Sequence, residues 1–463
     1  MNLLSKVFLL GFLPLSTFIY WKLLKTPRTK LWGLLIFSFI FYSFAGWQYS
    51  LLLIALSLLT FGAAKQGWYW LGILANLIAL IFFKYWDFGV VMLRRFLNDV
   101  DWSHLFPILH LALPLGISFY IFKHIAYLLD VKNQRYLPTD NFLVFLTFSA
   151  FFPQISAGPI SNFKDTGQQF IDLPNKFENK NAYNALIYIT LGIAKKLIIA
   201  QGISSILATD FYLPGQGSIL AFWTSSLLQG LYLYMDFSGY TDIALGIGYL
   251  FGIKLPGNFD NPFLAKNPSD FWNRWHISLS LWFRVYIFAP ISRYFLKTWK
   301  GRFRELAQYA ANWITMTLVG LWHGANSQYL IWGFFHGSFL NFHAWAVRKN
   351  FKWVGTWIDK TITLIGIIFS WHLFFTGWKE LRITIPEAFG INGFGSFRNL
   401  LSEIPPHLFP VLIISILISF SGFAEAIQYI KIRSKLFGVI IGAILVLMIA
   451  MLGEPLNFNY VQF

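Results

Sequence analysis

Long apolar runs, broken by short polar stretches, recur from one end of the chain to the other. In the first half they cover 5–21, 31–46, 50–65, 68–86, 104–129, 141–157 and 184–207. In the second half they cover 218–252, 277–296, 308–325, 328–346, 361–377, 409–428 and 436–453. A bilayer crossing takes roughly 20 apolar residues as a helix, so the pattern predicts about 11 to 13 membrane segments. Several runs are too short for a full crossing and are expected either to span half the bilayer or to lie buried among neighbours, where irregular backbone is tolerated. The fold predicted is all-α and polytopic. The longest polar gaps, 158–184, 253–276 and 378–408, leave no room for a separate aqueous domain, so residues 1–463 read as one integral membrane domain.

Composition strengthens this picture. The chain is 56% hydrophobic and 12% charged, where a soluble protein carries about 25% charged residues. Lys22, Lys25, Arg28 and Lys30 follow the first run and another span follows them, which reads as a signal anchor that is kept. The formal net charge of +16 raises nucleic acid as a partner. Its Lys and Arg fall in short loops, however, as the positive-inside bias requires. Anionic lipid headgroups, not nucleic acid, are then the expected partners. With no cysteine, disulfides, thiolate metal sites and a cysteine nucleophile are excluded. Acyl or phosphoryl chemistry would rest on His, Ser, carboxylates or water.

Ionisable groups at membrane depth are costly and need a reason. His124 lies inside LALPLGISFYIFKHIAYLLD and reads as a satisfied interface histidine. Residues 151–160, FFPQISAGPI, read as a bent, membrane-associated loop. Lys195 and Lys196 interrupt an apolar run; they either snorkel or meet an anion such as the phosphates of a coenzyme A thioester. Asp236 and Asp242 sit in a glycine-broken apolar stretch and are either catalytic or structurally paired, Arg274 being the expected partner of Asp236.

The densest chemistry runs from Trp272 to Gly337. Taken as one helix, 272–284 places Trp272, Trp275 and Trp282 within about 80° of one another, and Asn273, His276, Ser280 and Arg284 on another face. A basic run follows: Arg293, Lys297, Lys300, Arg302 and Arg304. Then GLWHGANSQYLIWGFFHG sets His323 between Trp322 and Gly324 in mid-run. An imidazole can take a proton from a hydroxyl near neutral pH, which suits a general base. Gly320 and Gly324 leave space for a substrate or a neighbouring helix. His336 lies 13 residues on. On one straight helix it would sit about 20 Å away, so both histidines meet one substrate only if the chain turns near Asn326 and Ser327. Neither HxxxH spacing nor a carboxylate cluster points to a metal.

These stretches resemble the membrane-bound O-acyltransferase family, in its bacterial branch for polysaccharide O-acetylation. The resemblance is carried by LPLGISFYIF at 113–122, FFPQISAGPI at 151–160, GIAKKLIIA at 192–200 and DFSGYTDIALGIGYLFGI at 236–253. It continues through FWNRWHISLS at 271–280, GLWHGANSQYLIWGFFHG at 320–337 and FNYVQF at 458–463. It implies a helical dish around a transmembrane tunnel in a bacterial inner membrane. It also implies transfer of an acyl group, acetyl by kinship, from a cytoplasmic thioester to an extracytoplasmic hydroxyl. His323 matches the catalytic histidine and His276 the WHIS histidine, and the resemblance makes both candidate catalytic residues. No permanent cofactor is implied; acetyl-CoA or another acyl thioester, free or on a carrier, is the donor substrate. An extracytoplasmic protein that accepts or passes on the acyl group is the implied partner. Lys195, Lys196, Arg274 and Asn273 are the candidates for holding the donor. Val285 stands where the alginate-type pattern has an acidic residue, no Gly-Gly-Asn turn follows, and Gln201 replaces a common acidic residue. FWNRWHISLSLWFR resembles the D-alanyl transfer branch nearly as well. From residues alone, a transporter or flippase for lipid-linked sugars and a scaffold subunit stay open.

Overall fold

The computed structural model describes residues 2–96, 106–209, 212–422 and 435–451. Among these residues there are helices and no strands; the closing 458–463 motif lies outside them. The apolar runs become helices at nearly the places their periodicity sets. Pro27–Ser43 opens with a Thr26–Thr29 capping box and Pro27 in its first turn, both of which satisfy or remove the donors a helix start leaves unpaired. Trp47–Gln66 stops at Gly67, whose left-handed φ of 75° closes the last turn. The run at 104–129 differs from the prediction. Its helix starts only at Ile117, because Pro114 and the left-handed Gly116 precede it. Residues just upstream instead cap Asp87, which accepts from the backbone N–H groups of Leu109 and His110 at 2.8 and 3.0 Å.

Four of the described helices are long and apolar enough to cross a bilayer by length and composition: Trp47–Gln66, Tyr69–Arg94, Asn179–Leu207 and Trp357–Phe375. Other long helices, such as Arg304–His323 and Ser327–Arg348, carry too many polar groups to qualify by composition.

The chain separates into two compact units. One comprises Met1–Leu186, Ala244–Pro256 and Ile449–Phe463; the other comprises Ile187–Ile243 and Gly257–Met448. The first unit has a polar thread through its core. His124 is fully buried and its ring is satisfied. Its Nδ1 meets Asn76 Oδ1 at 3.0 Å and its Nε2 meets Ser149 Oγ at 3.0 Å. Lys123 Nζ donates to Phe148 O and Gln154 Oε1 at 3.0 and 3.1 Å. The 151–160 segment, expected as a bent, membrane-associated loop, is buried throughout. It forms a single turn at Phe152–Ile155 and is held by Gln154 Nε2 donating to Pro159 O at 2.9 Å.

In the second unit, Asn179–Leu207 packs against Ile219–Leu250 where a Cβ at Gly192 would stand only 2.4 Å from Gly239 O. That close approach brings Lys195 to Asp242 at 2.7 Å and Lys196 onto Asp236. The expected Asp236–Arg274 pair does not form. Arg274 lies on the short helix Pro268–Arg274, and its guanidinium is taken by Asp270 at 3.0 Å and Asp260 at 3.5 Å.

Candidate active site

The segment read as one helix over 272–284 is two. Pro268–Arg274 ends, Trp275 is extended, and Ile277–Phe283 begins after His276 in a left-handed conformation, φ 41° and ψ 54°. A non-glycine residue pays roughly 1–2 kcal/mol for that conformation. The surroundings enforce it: Asn258 accepts from Ile277 N through its carbonyl at 2.9 Å and from Ser278 Oγ through its side chain at 2.6 Å. The break turns His276 inward. It is fully buried, 4.7 Å from the Phe237 ring and 5.8 Å from Trp322 between centroids. The amphipathic reading fails here for a physical reason, since the backbone reverses its sense at His276 and buries both the tryptophans and the histidine.

The Arg304–His323 and Ser327–Arg348 helices form a tight antiparallel hairpin, the chain turning at Asn326–Ser327, the place the sequence offered for a turn. Glycines permit the contact. A Cβ at Gly320 would lie 2.0 Å from Tyr329 O, and one at Gly333 2.3 Å from Met316 O. Gly320 therefore serves the neighbouring helix, not substrate space. The hairpin carries His323, the last residue of its helix, back beside Trp332 at 5.2 Å, edge to face. Trp322 at 5.0 Å and Phe374 at 5.2 Å complete its enclosure, and His323 is 5% exposed.

Trp332 links this ring to the second histidine. His336 lies 4.7 Å from Trp332 and 5.0 Å from Trp272, both centroid to centroid. Trp272 and Trp332 are 5.8 Å apart. The indole N–H groups of both, and Nε2 of His336, are buried without a hydrogen-bond partner among the described residues. The structure thus gathers His323, His336, Trp272 and Trp332 in one box, and His276 also packs against Trp322.

Trp272 also lines a cavity of about 360 Å³. Its walls include Arg284, Gln308, Asn312, Thr315 and His343, and it reaches Val319, one helical turn before His323, without including His323 itself. His343 Nε2 lies 3.1 Å from Asp359 Oδ2, which also accepts from Gly355 N at 2.9 Å. Arg284 is fixed at the cavity by Asn273 Oδ1. Of the residues expected to hold a donor, Asn273 therefore reaches the cavity through Arg284, Arg274 is engaged with Asp270 and Asp260, and Lys195 and Lys196 are engaged with Asp242 and Asp236. Among the described residues no three His, Asp or Glu side chains gather as metal ligands.

Trp332, His343 and Asp359 were not singled out by sequence. Trp332 is four residues before His336 on one helix face, a spacing that could have flagged it. The His343–Asp359 pair joins separate helices and left no local signal. Chemically, the box offers a buried imidazole that can accept a proton, packed among indole rings, beside a cavity with Arg284 and His343 at its wall.

Comparison with known proteins gives a consistent result. The family model for MBOAT, the membrane-bound O-acyltransferase family, matches residues 39–382. The peptidoglycan O-acetyltransferase of Helicobacter pylori is 33% identical over 433 residues, covering 84% of this chain and 80% of that protein. The probable alginate O-acetylase of Pseudomonas aeruginosa is 34% identical over 393 residues, 80% of this chain and 71% of that one. The teichoic acid D-alanyltransferase of Bacillus subtilis is 31% identical over 322 residues, 67% of this chain and 76% of that one.

Proposed function

The chain belongs to the membrane-bound O-acyltransferase family and is a membrane O-acyltransferase, and on that premise we propose that it carries an acetyl group from a cytoplasmic thioester to an extracytoplasmic hydroxyl. The acceptor is a cell-envelope polysaccharide, or a partner protein that passes the group on, and the setting is a bacterial inner membrane. Relatives named for peptidoglycan and alginate O-acetylation support the polysaccharide class.

One observation carries the reading. The hairpin places a buried imidazole, His323, one turn beyond a cavity with a cationic wall. In this scheme the donor lies in the cavity, its phosphates at Arg284, which Asn273 holds in place. A phosphate at Lys195 or Lys196 would have to displace Asp242 or Asp236, so Arg284 is the better donor anchor. His323 takes the proton of the acceptor hydroxyl, or briefly carries the acyl group. His276, held in its left-handed turn by the Asn258 loop, backs Trp322 and fixes the wall behind His323.

The test is mass analysis of the envelope polymers from cells carrying the parent protein or His323→Ala at matched membrane levels. The variant should remove the ester. An unchanged ester content would overturn the reading. The FWNRWHISLSLWFR stretch favours a second outcome, transfer of a D-alanyl group, and the same spectra distinguish the two esters by mass.

A further inference from the structure

The box around His323 holds more polar hydrogen-bonding capacity than the chain itself uses. Trp332 is 1% exposed, Trp272 is 7% exposed and His336 is 1% exposed. The two indole N–H groups and His336 Nε2 have no hydrogen-bond partner among the described residues. A buried donor without a partner forfeits its hydration and is rare in native proteins. Here three such groups share one set of ring contacts, 4.7 to 5.8 Å between centroids. An indole can only donate, so what completes the box must bring acceptors.

We infer that Trp332 and Trp272, with His336 protonated on Nε2, form the cradle that holds the donor's carbonyl oxygen during acyl transfer. This rests on the acyl-transfer reading above and adds to it the groups that stabilise the charge. Trp272 opens on the cavity and Trp332 stands edge to face with His323, so the cradle spans the gap between donor and base.

The step balances. A ring nitrogen of His323 takes the acceptor's hydroxyl proton, and the hydroxyl oxygen bonds to the acyl carbon. The carbonyl π pair moves onto its oxygen, which the indole N–H groups and His336 stabilise. As the carbonyl re-forms, the carbon–sulfur bond breaks with its pair on sulfur. The thiolate then takes the proton from His323, leaving an ester and a free thiol. Donors placed where charge develops, in a water-poor site, need no reorganisation at the moment of reaction.

The experiment follows the rate of ester formation on envelope polymer in cells after induction, normalised to folded protein measured by fluorescence-detected gel filtration. The variants are Trp332→Phe, Trp272→Phe and His323→Ala. A further variant replaces Trp332 with benzothienylalanine, which keeps the indole's shape and lacks its N–H. Removing one such donor should slow transfer about 10²- to 10³-fold per folded molecule. Trp332→Phe and the benzothienyl variant slowed alike supports the cradle. A benzothienyl variant running at the parental rate overturns it, because shape alone would then explain any loss in Trp332→Phe. Parental rates in both tryptophan-to-phenylalanine variants with His323→Ala inactive would also remove the cradle while leaving the acyl-transfer reading in place. An active His323→Ala would remove that reading itself.

Discussion

Two histidines, one in each unit, are buried to the same degree and treated in opposite ways. His124 is enclosed completely and both its nitrogens are engaged, by Asn76 and by Ser149, with Ser57 Oγ at 3.4 Å. Asn76 in turn donates to Thr60 Oγ1 and Gly72 O at 2.8 and 2.9 Å, so the network closes on itself. His336 is 1% exposed, walled by Trp332, Trp272 and Phe335, and its Nε2 meets no partner among the described residues. A closed network contributes to folding and asks nothing of a ligand. A box of unmet donors beside an imidazole that can move a proton costs stability, and such a cost is typical of functional sites. On the acyl-transfer reading proposed above, this difference, rather than burial itself, sets the box apart from the closed network around His124.

The largest expected effect is at Lys196, which belongs with the closed networks through Asp236. Lys196→Met leaves a buried carboxylate alone and should cost about 3–5 kcal/mol of stability, most of it recovered in the Lys196→Met/Asp236→Leu double variant. Thermal unfolding of purified protein followed by gel filtration reads this directly. A stable Lys196→Met that loses transfer would instead move Lys196 to the donor site. Next is Asn76→Ala, which strips His124 Nδ1 of its partner. It should cost about 1–3 kcal/mol and leave the transfer rate per folded molecule unchanged. The smallest effect is at His276. Asn tolerates left-handed backbone better than Ala, so His276→Asn should unfold later than His276→Ala by roughly 1 kcal/mol or less. Equal unfolding of the two would mean that the backbone at 276 relaxes once the imidazole is gone.

Much of the fold was legible because apolar runs and helix caps are local. The expected runs at 31–46 and 50–65 became Pro27–Ser43 and Trp47–Gln66, bounded by Thr26 and Gly67. The break at His276 was not legible, since the group that enforces it, Asn258, is 18 residues away in the sequence. The partner of Asp236 was not legible either: Lys196 lies 40 residues upstream, and Arg274, a comparable distance downstream, is consumed by Asp270 within its own helix. At the site, His323 stood out as a histidine in an apolar run. The return of Trp332 and His336 to it needed the glycine-lined hairpin, of which the sequence showed only the turn at Asn326–Ser327. The His343–Asp359 pair, formed across two helices, carried no spacing to read.

The most direct measurement pairs the two kinds of histidine in one assay: His323→Gln and His124→Gln, each scored for unfolding temperature and for acyl transfer per folded molecule. The account predicts that His323→Gln keeps the parental unfolding temperature and loses about 10²- to 10⁴-fold in rate, while His124→Gln unfolds earlier and transfers at the parental rate. A His323→Gln protein that transfers normally, or a His124→Gln protein that stays stable and loses transfer, would contradict it.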